Sequence, residues 1–152
     1  GVVFHEGKVE DLTLKGFDLA IAAFNVITYI ETIKDLTSFF TAIKEKLNDD
    51  GIFIFDCWNG IAAIKEPPKS KLTEVELEDL TIECRLKPYT DVFNQKVILN
   101  RSAFTFNQYL WTPKEINYCL EKSGFKTIKC NKPFSEKEKA TETDWKIMFV
   151  CK

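Results

Sequence analysis

The sequence predicts an α/β fold, and two observations carry that prediction. Leu19–Phe24 and Ile52–Phe55 are continuous apolar runs, which are typical of parallel strands covered on both faces. A stretch with helical periodicity separates them, so the three segments form a strand–helix–strand unit. The 152 residues are enough for one domain with a substantial core.

The first half of the chain supplies that unit and the segment before it. Val2–Phe4 is predicted to be a short strand, and the polar stretch after it to be a loop. Along the predicted helix, four apolar residues recur at steps of four and three and so share one face: Leu36, Phe40, Ile43 and Leu47. Thr32 and Asp35 resemble a capping box at its start, and Gly51 is predicted to end it.

The second half changes to a period of two. Leu80, Ile82, Cys84 and Leu86 alternate with Thr81, Glu83, Arg85 and Lys87, which predicts a strand with one solvent-facing side. With plausible turn residues at Asp91 and Asn94 and a second alternating stretch at Lys96–Phe106, residues 70–108 are predicted to form an antiparallel hairpin.

The last helix has the strongest start signal in the chain. Thr112 is the predicted N-cap, Pro113 the first helical residue and Glu115 the partner in a capping box, and Gly124 is predicted to end the helix. Two strands follow, at Phe125–Lys129 and Trp145–Cys151, with a charged surface loop between them.

Composition excludes several classes of protein. The chain is 45% hydrophobic and 29% charged with a net charge of −2, so it offers no electrostatic reason for a nucleic-acid or anionic-membrane partner. No apolar run reaches the roughly 18 residues of a membrane helix. Five cysteines without a CxxC pair are typical of reduced thiols in a cytoplasmic protein, and no residues have metal-ligand spacing.

The start of the sequence suggests that an N-terminal portion is lacking. The chain begins with Gly1, its only methionine is Met148, and a strand is predicted to begin directly after Gly1, at Val2–Phe4.

Polar and aromatic residues follow two of the predicted strands, where ligands bind in open α/β sheets. Asn25, Thr28 and Tyr29 come after the strand that ends at Phe24. Trp58 and Asn59 come shortly after Asp56, which ends the next one. The alternative is that both segments are ordinary strand-to-helix loops.

Three ordered stretches carry a family resemblance: GKVEDLTLKGFDLAIAAFNVITYI, LNDDGIFIFDCWNG and YLWTPKEINYCLEKSGF. Together they resemble the latter part of a class I S-adenosylmethionine-dependent methyltransferase. In that family a G-D-A-x-x-L loop precedes FD and a hydrophobic strand. An L-x-P-G-G motif and a second hydrophobic strand follow it. A T-x-x-E motif and an A-G-F motif come later in the chain. The IFDCWNG stretch before a long hairpin is closer still to small-molecule methyltransferases, including the sugar N-methyltransferase type.

The resemblance implies a Rossmann-like sheet with strand order 3-2-1-4-5-7-6 and S-adenosyl-L-methionine as cofactor. The family's glycine-rich loop and the acidic residue after its second strand are not in this sequence. Val2–Phe4 would be the third strand, and the first two would be missing. The interpretation is one methyltransferase-like domain over residues 1–152, incomplete at its N-terminus. Alone, it would fold poorly, swap segments or depend on an absent segment.

The resemblance also implies cofactor contacts in the loop before the first apolar run. The G-D-A position is occupied by Gly7-Lys8-Val9, and Lys8 cannot accept the hydrogen bond of an adenine amino group as the usual aspartate does. Glu10 or Asp11 could replace it, or the Val9 backbone could hold adenine alone. The alternative for both acidic residues is a solvated loop.

Further cofactor contacts are implied at the end of that run. Ala23 and Phe24 match the segment that lines the methionine and sulfonium region, where an aromatic face suits a cation. Asn25 and Tyr29 could orient the cofactor or the acceptor. Core packing is the alternative for Phe24, and packing in the first helical turn for Tyr29.

Acceptor contacts are implied for Trp58, Asn59 and Tyr109, with Trp111 beside them. No catalytic residue is assigned, because methyl transfer depends on positioning more than on acid–base chemistry. The single histidine, His5, is interpreted as structural, and Asp18 lies at the wrong end of its strand. Asp56 lies at the correct end, but could simply cap the following loop.

The hairpin of residues 70–108 is predicted to be a lid over the acceptor or a dimerisation flap, so a homodimer or swapped partner is possible. The sequence allows three alternative interpretations of function. The first is methyl transfer to a small molecule. The second is a catalytically silent binding or assembly module with the same fold. The third, a nucleotide-dependent oxidoreductase, matches the hairpin and the C-terminal motif less well.

Overall fold

A computed structural model describes residues 1–77, 80–91, 96–101 and 106–152. In chain order its main elements are β1 (Phe17–Ala22), α1 (Ile33–Lys46), β2 (Leu47–Trp58), α2 (Gly60–Lys65), β3 (Lys71–Leu77), β4 (Leu80–Asp91), β5 (Lys96–Arg101), β6 (Phe106–Tyr109), α3 (Pro113–Lys122), β7 (Thr127–Asn131) and β8 (Lys146–Cys151). Two short 3-10 helices precede α1, at Val9–Asp11 and Val26–Tyr29.

The strands form two four-stranded sheets, β1-β2-β8-β7 and β3-β4-β5-β6. In the first sheet β1 runs parallel to β2, while β8 is antiparallel to both of its neighbours. This arrangement confirms the predicted strand–helix–strand unit. The order of the four strands agrees with the last four positions of the expected order, 4-5-7-6.

Helix α1 begins as predicted and ends earlier. The Thr32 hydroxyl accepts a hydrogen bond from the Asp35 backbone N–H at 3.0 Å. The helix stops at Lys46, so the prediction that Gly51 ends it is wrong. Strand β2 bulges between two of its pairings with β1. At this bulge, a Cβ on Gly51 would lie 2.9 Å from the carbonyl oxygen of Asn48. Gly51 instead permits this close backbone approach.

The main core lies on one face of the first sheet, under α1 and α3. Alternate residues of β2 and β8 point into it, together with the apolar faces of both helices. The rings of Phe53 and Phe55 stack at 4.9 Å, and those of Phe55 and Phe149 at 5.1 Å. The helical periodicity therefore identified the correct buried face.

The opposite face corrects the expectation that these strands are covered on both sides. Its apolar side chains are half-buried or exposed: Leu19, Ile21, Ile52, Ile54, Met148 and Val150. Ile21, on the edge strand β1, is 64% exposed. The continuous apolar runs predicted the strands correctly, but the described helices contribute core residues to one face only.

The N-terminal segment also differs from its prediction. Val2–Phe4 is exposed and has no secondary structure. A β-strand is stabilised by a neighbouring strand, and the described sheet ends at β1.

Residues 70–108 contain more than one hairpin. Strands β3 to β6 pair antiparallel in sequence order, and a second cluster formed by Ala63, Val97, Leu99 and Leu110 joins this sheet to α2. Arg85 and Lys87 are exposed, as predicted for the solvent-facing side. The predicted turn residue Asn94 lies outside the described residues, as do the side chains of Leu80, Thr81, Ile82, Glu83 and Cys84.

Helix α3 matches its prediction closely. The Thr112 hydroxyl accepts from the Glu115 N–H, the Glu115 carboxylate accepts from the Thr112 N–H, and Pro113 occupies the first turn. Gly124 follows the helix with a φ of +80°, a conformation that glycine adopts without strain. No helix in the described ranges combines the length and apolar composition that spanning a membrane requires.

Candidate functional site

The carboxyl end of β1 turns through two residues with left-handed backbone angles. Phe24 and Asn25 have φ angles of 65° and 60°; this conformation costs a residue such as Phe24 roughly 1–2 kcal/mol, whereas asparagine adopts it more readily. Phe24 is also 84% exposed, so its ring gains little from core packing. Strain of this kind persists only where surrounding contacts enforce it, and it concentrates at functional sites.

Asp56, at the end of the neighbouring strand β2, holds this turn. Its Oδ1 accepts the backbone N–H of Asn25 at 3.1 Å. Its Oδ2 lies 3.1 Å from Lys146 Nζ at the start of β8. Asp56 therefore caps the loop after β1, whereas the sequence suggested the loop after its own strand.

The side-chain oxygen Oδ1 of Asn25 is buried and has no hydrogen-bond partner within the described residues. A buried carbonyl oxygen without a donor costs about 1–3 kcal/mol, so this oxygen adds to the cost of the turn.

A groove of about 600 Å³ lies beside the turn and contains several of the predicted cofactor residues. One wall carries Lys8, Val9 and Glu10, and another carries Tyr29, with α1 behind them. Its volume lies in the range of small-molecule sites. Ala23 and Phe24 are exposed outside it. A larger groove of about 700 Å³, between α2 and the starts of α1 and α3, contains none of the predicted site residues.

Trp58 lies at the end of β2, near the ion pair. Lys146 Nζ is 5.7 Å from the centre of its ring, and the indole packs against the cluster that joins α2 to the second sheet. Its Nε1 is buried and has no acceptor in the described part of the chain. Trp58 thus has a buried hydrogen-bond donor, and its contact with the acceptor stays a prediction.

Asn59 has a structural role in place of the predicted ligand contact. It is 1% exposed, and its amide nitrogen donates to the carbonyl oxygens of Thr141 at 3.1 Å and Asp144 at 3.0 Å. Its side-chain oxygen accepts from the Ile61 N–H and caps α2. These bonds use both amide hydrogens and the carbonyl oxygen, so the Asn59 side chain has a structural role and leaves no amide hydrogen for a ligand.

Tyr109 and Trp111 do not lie together in a pocket as suggested by the sequence. Tyr109 is half-buried against the main core. Trp111 is 1% exposed and donates its Nε1–H to the carbonyl oxygen of Ile27 at 3.2 Å, with Lys96 Nζ above its ring. Trp111 is therefore a structural residue that ties the start of α3 to the 3-10 helix Val26–Tyr29.

Three other reactive side chains lie outside this arrangement. His5 is exposed in the N-terminal segment. Asp18 accepts a hydrogen bond from Asn48 at the opposite end of β1, as its position in the sequence indicated. Burial raises the pKa of the Cys57 thiol well above its ordinary value, so this neighbour of Asp56 is protonated and unreactive at neutral pH.

The sequence did not identify Lys146 and Gln108, and it placed Thr28 at the strand end without a role; all three hold the turn. Lys146 could have been found from topology, because an antiparallel β8 beside β2 places it opposite Trp58. The contact between Gln108 and Thr28 spans 80 positions and joins β6 to the 3-10 helix Val26–Tyr29, and no local pattern in the sequence signals it.

Comparison with known proteins places this arrangement in a recognised fold. No protein-family model and no curated protein matches the chain. Among solved structures, an S-adenosylmethionine-dependent methyltransferase from Clostridium acetobutylicum ATCC 824 superposes with a TM-score of 0.69 at 17% identity, covering 96% of this chain and 62% of that one. The CcbJ methyltransferase from Streptomyces caelestis gives a TM-score of 0.69 at 18% identity, covering 96% and 61%.

A third similar structure is that of CalS10, described as an amino pentose methyltransferase from Micromonospora echinaspora, with a TM-score of 0.57 at 14% identity. The match covers 95% of this chain and 62% of CalS10. At these identities the similarity establishes that the chain has an α/β fold found in S-adenosylmethionine-dependent methyltransferases. The chain spans about three fifths of the length of these structures.

Proposed function

We propose that this chain contributes to methyl transfer from S-adenosyl-L-methionine to a small-molecule acceptor. The observation that carries the proposal is the strained Phe24–Asn25 turn, held by Asp56 at the carboxyl ends of two parallel strands. Ligands bind at this edge of an open α/β sheet. The methyltransferase fold supports the same reaction.

The residues around the groove fit the cofactor in part. Glu10 supplies the acceptor for an adenine amino group that Lys8 lacks, and Tyr29 lines the same groove. Asn25 precedes Val26, which lines the groove, and its side chain would reach the cofactor only after a rotation that exposes the buried Oδ1. The exposed ring of Phe24 offers an aromatic face to a positively charged sulfur.

When bound, the cofactor supplies a methyl group activated by that sulfonium charge. The chain's own contribution is orientation and exclusion of water, which can account for most of the acceleration in such a transfer. Asp56 fixes the Asn25 backbone, and Lys146 holds the Asp56 carboxylate in turn. No residue is assigned as a general base.

We assign the acceptor to the side of Trp58. Its free Nε1–H would bind an oxygen of the acceptor, while the indole face covers the ligand. The second sheet, whose cluster packs against Trp58, would form the wall on this side, and Tyr109, at the end of β6, would contact the acceptor from there. Four free cysteines among the described residues suit a reducing, cytoplasmic compartment.

Two observations favour the alternative of a catalytically silent module that does not bind cofactor alone. Lys8 occupies the position where the family has an acidic residue. In addition, the edge strand β1 and one face of the first sheet remain open to solvent. A second copy, a swapped segment or a further stretch of polypeptide would cover that face, and cofactor binding would then depend on it.

Calorimetric titration of the chain with S-adenosylhomocysteine tests the proposal. We expect binding in the micromolar range, weakened at least about fivefold by Phe24→Ala through loss of the aromatic contact. Phe134→Ala is the matched control, because Phe134 is also exposed and left-handed, with a φ of 59°, but lies in the loop after β7.

If Phe24→Ala and Phe134→Ala bind S-adenosylhomocysteine with equal affinity, Phe24 does not contact the cofactor. If the folded chain binds no S-adenosylhomocysteine, the silent module is the better description.

A further inference from the structure

The 3-10 helix Val26–Tyr29 is held to the rest of the molecule by buried polar contacts from a distant part of the chain. Gln108 Nε2, on β6, donates to Thr28 Oγ1 at 3.4 Å, and both residues are buried. Thr28 Oγ1 donates in turn to the carbonyl oxygen of Asn25 at 2.7 Å. The contacts thus run from the second sheet to the strained turn.

Both backbone polar groups of Asn25 are engaged by this arrangement. Its N–H binds Asp56, and its carbonyl oxygen accepts from the hydroxyl and from the backbone N–H of Thr28. Trp111 adds a bond to Ile27 in the same short helix. A left-handed asparagine after a left-handed phenylalanine is stable only with such support.

A buried amide–hydroxyl pair is a poor choice if packing is its only purpose. Two apolar residues of similar size would fill the space without the cost of desolvating polar groups, and such replacements are often neutral for stability. The polar pair instead fixes one geometry, because the Thr28 hydroxyl must receive one hydrogen bond and donate another.

We propose that Gln108 and Thr28 are positioning residues through which the second sheet sets the Phe24–Asn25 turn. This inference rests on the proposed function in one respect, that the turn is part of the cofactor site. Its consequence is that the sheet β3-β4-β5-β6 has a second role besides forming a wall, because its last strand determines how tightly the cofactor is held.

Amide hydrogen exchange tests the positioning directly and without any ligand. Thr28→Val removes the hydroxyl and keeps the shape of the side chain, so we expect exchange at the Asn25 amide to accelerate about tenfold, as loss of one buried hydrogen bond predicts. Thr28→Ser restores the hydroxyl and should restore protection. Thr41→Val is the matched control, because Thr41 donates to the Thr37 carbonyl oxygen within α1, outside the turn.

A double variant separates positioning from stability. Gln108 makes a further interaction besides its bond to Thr28, and Gln108→Met alone measures the loss of both. We expect Gln108→Met with Thr28→Val to melt within about 3 °C of Gln108→Met alone. Exchange at Asn25 should nevertheless stay fast. Unchanged exchange in Thr28→Val and in the double variant would overturn the inference.

Titration with S-adenosylhomocysteine gives the second readout. We expect Thr28→Val to weaken binding about tenfold and Thr28→Ser to restore it. Unchanged affinity in Thr28→Val, in a chain that binds the ligand, would refute the cofactor role of the turn. If the original chain does not bind, the proposed function fails, and the exchange rates alone decide whether Thr28 positions the turn.

Discussion

Substitution of Asn59 by alanine distinguishes a structural amide from a ligand contact. The change removes two donors, to the carbonyl oxygens of Thr141 and Asp144, and one acceptor for the Ile61 N–H. Loss of a helix N-cap costs about 1 kcal/mol. The carbonyl oxygen of the half-buried Asp144 loses this donor and adds about 1 kcal/mol, whereas the Thr141 carbonyl oxygen still accepts the Asp144 N–H at 3.3 Å. We therefore expect a loss of about 2 kcal/mol in the free energy of unfolding.

For a chain of this size that loss lowers the melting temperature by about 4–8 °C. Urea unfolding followed by tryptophan fluorescence measures it, since Trp58, Trp111 and Trp145 are all at least half-buried. Asn59→Asp keeps the cap acceptor but places a buried carboxylate against the carbonyl oxygens of Thr141 and Asp144, so it should cost more than Asn59→Ala.

Asn48→Ala is the matched control. Asn48 also joins distant segments, donating to Gly16 and Asp18, but it is exposed, so its loss should stay within about 0.5 kcal/mol. If Asn59→Ala and Asn48→Ala cost the same within error, the structural account of Asn59 is wrong, and the amide becomes available as the acceptor contact predicted from the sequence.

Three further predictions concern packing, thiol chemistry and the open sheet edge. Gly60→Ala would place a Cβ 2.5 Å from the Leu110 carbonyl oxygen and should cost about 2–3 kcal/mol in urea unfolding; a cost below that of a typical surface change would contradict this close contact. Burial raises the pKa of Cys130 to about 11 and that of Cys151 to about 12, so iodoacetamide at pH 8 should label them at least about 100-fold more slowly than in the unfolded chain. Labelling at equal rates would show that burial does not protect them. If a second copy covers the open face of the first sheet, Ile21→Lys should reduce that self-association in sedimentation, because it puts a charge on the exposed edge strand; unchanged association would locate the interface elsewhere.

The sequence predicted best the elements whose signals are local. Thr112, Pro113 and Glu115 define the start of α3 within four residues, and every expected contact is present in the capping box. The apolar runs predicted β1 and β2 because strand formation depends on neighbouring side chains in the sequence. Burial on the second face of those strands depends on other segments, and that expectation was wrong.

Only part of the candidate site could be predicted for the same reason. The strand ends correctly indicated where Asn25 and Trp58 would lie, since parallel strands deliver their carboxyl ends to one edge. Asn59 has a structural role and Trp58 does not have the same one, because the loop at residues 141–144 binds the Asn59 amide. That loop lies more than 80 positions away in the sequence. The sequence around an asparagine does not show whether its amide binds a ligand or a backbone carbonyl.

The position of β8 has a consequence for how the protein is made. Among the described strands it is the last to be synthesised, yet it lies inside the sheet, between β2 and β7. The 88 residues that separate Trp58 from its partner Lys146 take about 4–18 seconds to translate, at roughly 5–20 residues per second. During that interval one edge of β2 has no partner in the nascent chain. The delay exposes an apolar strand to chaperones and to neighbouring nascent chains, so yield in the cell should depend on translation speed through the second half of the message.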